Sequence, residues 1–259
     1  MIPAERQREL LTHLAQRGIL SIAELTALLG VSHMTVRRDI QHLEKRGRVT
    51  TVSGGVRLPE RLAWEPSHDV KFGIKRDEKT NIGRVAATLV DQNATLYLDA
   101  GTTTLEIARN LADRTDITVV TNDFQVAAYL TANASCTLYH SGGLVERANQ
   151  SCVGEAAAEA LRHFNFDICF ISASSWTISG LSTPQEIKGA VKQAVVAQSA
   201  RRVLVSDSSK YGIIAAFNIM SLDVFDAVIT DTGLQDSVTE ALGKKNIQVI
   251  FADQLGDSR

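Results

Sequence analysis

The chain has 259 residues, 44% of them hydrophobic and 22% charged, with a formal net charge of −2. That profile fits a water-soluble protein of more than one domain, and no run approaches the roughly 18 apolar residues that a membrane span needs. The N-terminus shows no basic segment followed by an apolar stretch, and the three cysteines show no Cys-x-x-Cys spacing. A cytoplasmic protein with free thiols is therefore expected.

The near-neutral total conceals an asymmetry. Residues 1–58 hold nine Lys and Arg against five Asp and Glu, whereas the remainder holds 18 against 24. A basic head on an acidic body suits a nucleic-acid reader joined to a different kind of domain.

Leu10, Leu11 and Leu14 form an apolar stripe that predicts a helix from about Glu5 to Arg17, stopped by Gly18. Ser21-Ile22-Ala23-Glu24 is a capping box, in which the Ser oxygen accepts the N3 amide and the Glu reaches back. The helix it opens carries Ile22, Leu25, Leu28 and Leu29 and ends at Gly30. Ser32 caps a third helix, from about His33 to Arg46, whose apolar stripe is Val36, Ile40 and Leu43. After Gly47, Arg48–Val52 alternates as a strand, Ser53-Gly54-Gly55 turns, and Val56-Arg57-Leu58 returns.

Three helices followed by a hairpin spell a winged helix-turn-helix over residues 1–58, whose third helix enters the major groove. His33, Met34, Thr35, Arg37 and Arg38 lie away from its buried stripe or at the margins, so Thr35 and Arg37 or Arg38 are placed to reach base edges. Ser32, the helix amides, Arg48 and Arg57 are placed to hold phosphates, and the wing turn Ser53, Gly54 and Gly55 completes the DNA face.

From Pro59 to about Val70 there is little apolar content and no periodicity, so residues 59–76 read as an interdomain linker. Trp64 within it is unusual for a flexible linker and is a candidate to dock on one of the domains.

Residues 77–259 alternate short apolar runs with helical patterns. Strands are predicted over Thr95–Leu98, Ile117–Thr121, Cys136–His140, Ile168–Ala173, Val203–Ser206, Ala227–Thr230 and Gln248–Phe251. Helices are predicted over Glu78–Val90, Thr104–Asp113, Phe124–Ala132, Glu155–His163, Glu186–Ser199 and Gln235–Lys244. The fold class is therefore α/β, a winged head followed by a mostly parallel α/β effector domain covered on both faces.

Ligands of such sheets sit at the carboxyl ends of the strands. There the sequence places Asp99-Ala100-Gly101-Thr102-Thr103-Thr104, whose amides, hydroxyls and following helix suit an anion, with phosphate as the expected occupant. An ordinary capped strand–helix turn would look the same. Thr121-Asn122, Ser141-Gly142-Gly143 and Asp207-Ser208-Ser209-Lys210 stand at three further strand ends.

Leu-Gly-Val-Ser-His-Met-Thr-Val-Arg-Arg-Asp-Ile from Leu29 to Ile40, then Leu-Glu-Lys-Arg-Gly from Leu43 and the Ser53-Gly54-Gly55 turn, resemble the signature of the DeoR/GlpR family of bacterial transcriptional regulators. The Asp-x-Gly-Thr-Thr-Thr, Thr-Asn, Gly-Gly and Asp-x-Ser-Lys-x-Gly elements follow the order of that family's effector domain, which is related in fold to ribose-5-phosphate isomerase. The resemblance runs from about residue 5 to residue 251. It implies a sugar-operon repressor that binds operator DNA as a homo-oligomer, a dimer or tetramer, and is released by a small phosphorylated sugar or sugar acid. It implies no cofactor and no metal.

By the same analogy Thr102, Thr103 and Thr104 hold the phosphate, Lys210 approaches sugar or phosphate oxygens, and Lys192 or Lys188 approaches as well. Asp99, Gly101, Thr121, Asn122, Gly142, Gly143, Ser174 and Asp207 complete the expected effector site. Asp39 is implied to pair with a nearby Arg and orient the recognition helix. One stretch departs from the family pattern: Ser172-Ala173-Ser174-Ser175-Trp176 replaces a small-acidic-Gly run, which implies a serine-rich pocket wall with an indole.

The rival reading is a sugar-phosphate isomerase with a DNA-binding head. Aldose–ketose isomerisation needs a carboxylate base beside the substrate. No Asp or Glu lies between Asp167 and Glu186, where the related isomerases carry theirs, which leaves Asp99 as the alternative.

Overall fold

A computed structural model describes residues 1–52 and 54–254, the side chain of Gln254 excepted. The head comprises α1 (Pro3–Arg17), α2 (Ile22–Leu29), α3 (His33–Lys45), β1 (Thr50–Val52) and β2 (Gly55–Arg57). Ser21 and Glu24 make the reciprocal capping box at α2, and Ser32 Oγ accepts the Thr35 amide at α3. Each such cap contributes about 1 kcal/mol. Leu10, Leu14, Leu25, Leu29, Val36, Ile40 and Leu43 bury together with Val49 and Val56 in a core of their own.

β1 and β2 pair antiparallel, Thr51 opposite Val56, in a hairpin whose first strand starts two residues later, and whose second ends one residue earlier, than the alternation suggested. Val56 exchanges backbone hydrogen bonds of 3.0 and 2.8 Å with Leu20, so the wing is fastened to the α1–α2 connection. A Cβ on Gly55 would meet the Leu20 carbonyl oxygen at 2.3 Å, which is why glycine stands there.

The stretch read as a linker is ordered and bound to the body. It forms β3 (Glu60–Leu62) and a short α4 (His68–Phe72) capped by Ser67. A three-residue strand leaves no room for periodicity, and its partner lies about 150 residues away. Trp64 does not dock, being 69% exposed.

The body continues with α5 (Arg76–Ala87), β4 (Thr95–Leu98), α6 (Thr102–Asn110), β5 (Thr118–Thr121), α7 (Phe124–Asn133) and β6 (Thr137–His140). Then come β7 (Leu144–Glu146), β8 (Ser151–Val153), α8 (Glu155–Leu161), β9 (Phe166–Ser172), β10 (Trp176–Thr177), β11 (Gly180–Thr183) and α9 (Ile187–Ala197). The last elements are β12 (Ser199–Val205), β13 (Ile213–Ala215), β14 (Phe217–Ser221), β15 (Ala227–Thr230), α10 (Asp236–Gly243) and β16 (Gln248–Phe251).

Among the described residues, seven strands form one parallel sheet in the order β16-β15-β12-β9-β4-β5-β6. Alternation along each strand divides the core. Leu96 and Leu98 pack with α5 and α6 on one face, while Tyr97, Cys169 and Ile171 pack with α8 and α9 on the other. β10, β11 and β14 form a second, antiparallel sheet, and β7 pairs with β8. These strands have two to five residues, too short for a periodic signal. β13 pairs in parallel with β3, Ile214 opposite Arg61, and so ties the connecting stretch to the body.

Candidate nucleic-acid interface and anion cleft

α3 buries Val36, Ile40 and Leu43 and turns Arg37, Arg38, His33 and Met34 outward, with Met34 63% exposed. Thr35 is half-buried and its hydroxyl shares a 2.9 Å hydrogen bond with Ser32. Asp39 lies on the buried side. It accepts both Arg6 guanidinium donors and the Gln7 amide at 2.9 Å, so α1 holds α3 at a fixed rotation. Arg48 is exposed, Arg57 is half-buried beside Glu60 at 3.4 Å, and Gly54 and Gly55 form the wing tip, Gly54 with φ 88°. Ser53 lies outside the described residues.

The second site is a cleft at the carboxyl ends of β4, β5, β9 and β12, in two adjoining lobes. Both lobes are lined by Glu65, Lys71, Gly101, Ser172 and Ser174. One adds Asp99, Asn122, Lys188 and Lys192; the other adds Lys79, Thr102, Thr103, Asp207 and Lys210. Thr102 and Thr103 stand at the start of α6, and among the described residues neither hydroxyl has a protein partner. An anion placed there would meet free amides, two hydroxyls and the positive end of a helix dipole. A Cβ on Gly101 would come within 2.8 Å of Ser172 Oγ, so the glycine lets β9 close against the loop.

Several expected residues lie elsewhere. Thr104 points inward, its hydroxyl donating to the carbonyls of Asp99 at 2.6 Å and Gly101 at 2.7 Å, so it shapes the loop rather than lining the cleft. Thr121 is likewise buried and donates to the Leu98 carbonyl. Gly142 and Gly143 form the turn after β6 and line neither lobe; a Cβ on Gly143 would strike Ala157. Asn122 lines the cleft, but its side chain is engaged by the Tyr97 hydroxyl and the Cys152 carbonyl. The indole is no pocket wall. Trp176 is fully buried, donates to Ser206 Oγ at 3.1 Å and meets Tyr211 edge-on, while the Tyr211 hydroxyl lies 3.4 Å from Glu44 of the head.

The sequence reading missed Glu65, Lys71 and Lys79, and Lys188 was left open with Lys192. Glu65 and Lys71 come from the connecting stretch, where no periodicity or motif marked them. Lys71 and Lys188 bond Glu65 at 2.7 and 2.6 Å, and Ser174 donates to the same carboxylate. Burial opposes ionisation of Glu65, but the two ammonium charges outweigh it and hold the carboxyl at about 2. Lys192 bonds Asp99, which also accepts the Ser172 amide at 2.9 Å. Burial lowers Lys79 to about 8.

This chemistry disfavours isomerisation. A general base works best with a pKa near the operating pH. Glu65 is held far below that, and Asp99 is committed to Lys192 and to the β9 backbone.

Comparison with known proteins gives the same answer. Residues 6–61 match the family described as DeoR-like helix-turn-helix domain, and residues 74–232 match the DeoR C terminal sensor domain. The chain is similar to the HTH-type transcriptional regulator YgbI of Escherichia coli K12, with 52% identity over 97% of this chain and 99% of that one. It shares 49% identity with an HTH-type transcriptional regulator of Haemophilus influenzae, over 97% and 98% of the two chains. Identity with the regulator GlpR of Haloferax volcanii is 30%, over 96% and 98%. Among solved structures, ribose 5-phosphate isomerase A of Methanocaldococcus jannaschii aligns over 52% of this chain and 54% of that one, at 17% identity and TM-score 0.38. The relatives are named as regulators and both matched domains are regulatory, so the chain is not an enzyme. It belongs to the DeoR family of transcriptional regulators.

Proposed function

We propose that this regulator represses a sugar or sugar-acid catabolic operon and leaves its operator when a phosphorylated metabolite fills the cleft. The observation that carries this reading is the lysine-lined cleft at the strand ends, with Thr102 and Thr103, at the start of α6, unpartnered among the described residues. The phosphate lies against Thr102, Thr103 and Lys210, in the lobe that Lys71 and Ser174 also line, and the oxygenated remainder faces Asn122 and Lys192. Asp99, Gly101 and Asp207 hold the loops that shape this site, with Thr104, Thr121, Gly142 and Gly143 supporting from behind.

Arg37, Arg38, Thr35, His33 and Met34 read the major groove, while Ser32, Arg48, Arg57 and the wing tip hold phosphates. The relative named transcriptional repressor GlcR in Bacillus subtilis, 27% identical, supports the sign of the response. The protein acts in the cytoplasm as a homo-oligomer, supported by exposed Tyr139 on edge strand β6 and exposed Leu144 and Val145 beside it. The effector shifts the balance only through its different affinity for the DNA-binding and released states.

A gel shift with operator DNA, titrated with sugar phosphates and sugar-acid phosphates, tests the whole. Release by one of them, abolished by Thr103→Glu, is expected. Release that survives Thr103→Glu would refute the cleft assignment.

A further inference from the structure

Glu65 stands where an anion belongs. Its carboxylate takes donors from Lys71, Lys188 and Ser174, and all three are side chains. The other cleft carboxylates hold backbone: Asp99 accepts the Ser172 amide, and Asp207 accepts the Ser209 amide. Withdrawing Glu65 therefore undoes no loop of the body, whereas withdrawing Asp99 or Asp207 would.

Charge sharpens the point. The two lobes hold Lys71, Lys79, Lys188, Lys192 and Lys210 against Glu65, Asp99 and Asp207, and Glu146 lies 3.7 Å from Lys188. With Glu146 counted, four carboxylates offset all but one of the five lysines. A phosphate brought in beside Glu65 would set like charges together where little water screens them. Expelling Glu65 instead leaves Lys71 and Lys188 open to the newcomer.

Glu65 also lies three residues beyond β3, on the stretch joining the wing to the body. Leu62 and Ile213, from the paired strands β3 and β13, line the second lobe themselves.

We propose that Glu65 is a tethered competitor of the effector: the effector's anionic group takes over Lys71, Lys188 and Ser174, expels the Glu65 carboxylate, and thereby loosens residues 60–65 that anchor the head. This rests on the reading of the cleft as the effector site. An internal competitor lowers apparent affinity by the fraction of time it vacates the site, so its removal tightens anion binding.

The test uses the full chain and inorganic phosphate as the probe, at constant ionic strength, with melting temperature followed against phosphate concentration. Glu65→Gln is expected to lower the phosphate dissociation constant obtained from the rise in melting temperature at least about tenfold; an unchanged or higher value overturns the proposal. Glu65→Gln/Lys188→Met restores the charge count and guards against misfolding of the single variant. It should melt cooperatively and lose the gain, and a retained tenfold gain would count against the exchange at Lys188.

Thr103→Glu separates the two readings. A phosphate response abolished in both wild type and Glu65→Gln places the probe in the cleft, so that only the Glu65 comparison then decides the proposal. A response that survives in both removes the cleft reading and the proposal with it. Phosphate should also speed tryptic cleavage after the exposed Arg61 in the wild type, and cleavage indifferent to phosphate would exclude loosening of the stretch.

Discussion

The head and the cleft both carry clustered cations, in opposite physical states. Arg37 and Arg38 are exposed and form no ion pair among the described residues, whereas Lys71, Lys188 and Lys192 are mostly buried and each is already paired. Exposed charges stay hydrated and bind a polyanion by releasing its counterions, so their contribution falls steeply with salt. Buried, paired charges are fixed in place and accept a small anion only in exchange for a partner they hold. One surface suits an extended ligand of uniform charge, the other a single compact molecule.

Removing the head's charges should give the largest effect. A bidentate arginine–base contact is worth about 1–3 kcal/mol, so Arg37→Ala/Arg38→Ala should weaken operator binding by at least about 30-fold and flatten its salt dependence. Melting temperature should stay unchanged. A gel shift across salt concentrations checks this, and undiminished retention would contradict the assignment of α3.

The cleft should answer to pH instead. Glu65 is held at about 2 against an ordinary value of 4.5, so its contribution is present above 4.5 and is lost as pH falls toward 2. It amounts to about 3 kcal/mol. Urea unfolding of wild type and Glu65→Gln should differ most near neutrality, and the gap should shrink as pH falls from 4.5 toward 2. A gap independent of pH would mean that the clamp does not form.

Asp39→Asn strands the Arg6 guanidinium and loosens α3 from α1. A loss of about 1.5–3 kcal/mol in head stability is expected, with weaker operator binding, while the phosphate response of the body persists. Calorimetry with a parallel gel shift resolves the two; full operator affinity would show that α3 needs no such brace. Smallest of all, Met34→Ala should alter operator affinity a few-fold and leave stability within about 0.5 kcal/mol. Identical affinity would place Met34 off the DNA.

What the sequence disclosed followed the range of the interactions involved. Ser21 with Glu24, and Ser32 before its helix, act within one turn, and both caps formed as read. The parallel strands declared themselves through apolar runs such as Thr95–Leu98, correct to the residue. Side-chain direction was harder to read. Of three consecutive threonines, Thr104 turned inward to hold the loop, which only the packing of α6 decides.

The Gly142-Gly143 turn looked like a ligand loop because glycines serve close packing and ligand approach equally well. Glu65 and Lys71 were hidden because their roles depend on partners up to 123 residues away. Trp176 was misplaced because a serine-rich run reads as surface, yet β10 turns its indole into the core.

The pairing of Glu60–Leu62 with Ile213–Ala215 has a consequence for biosynthesis. The ribosome releases the amino end first, and domains tend to fold as they emerge. The head has its own core and can assemble early, but Glu60–Leu62 have no mate until translation has passed residue 215. A nascent regulator thus carries a finished helix-turn-helix head on an unfastened leash. Its tie to the sensor domain through β3 waits until Ile213–Ala215 have been made.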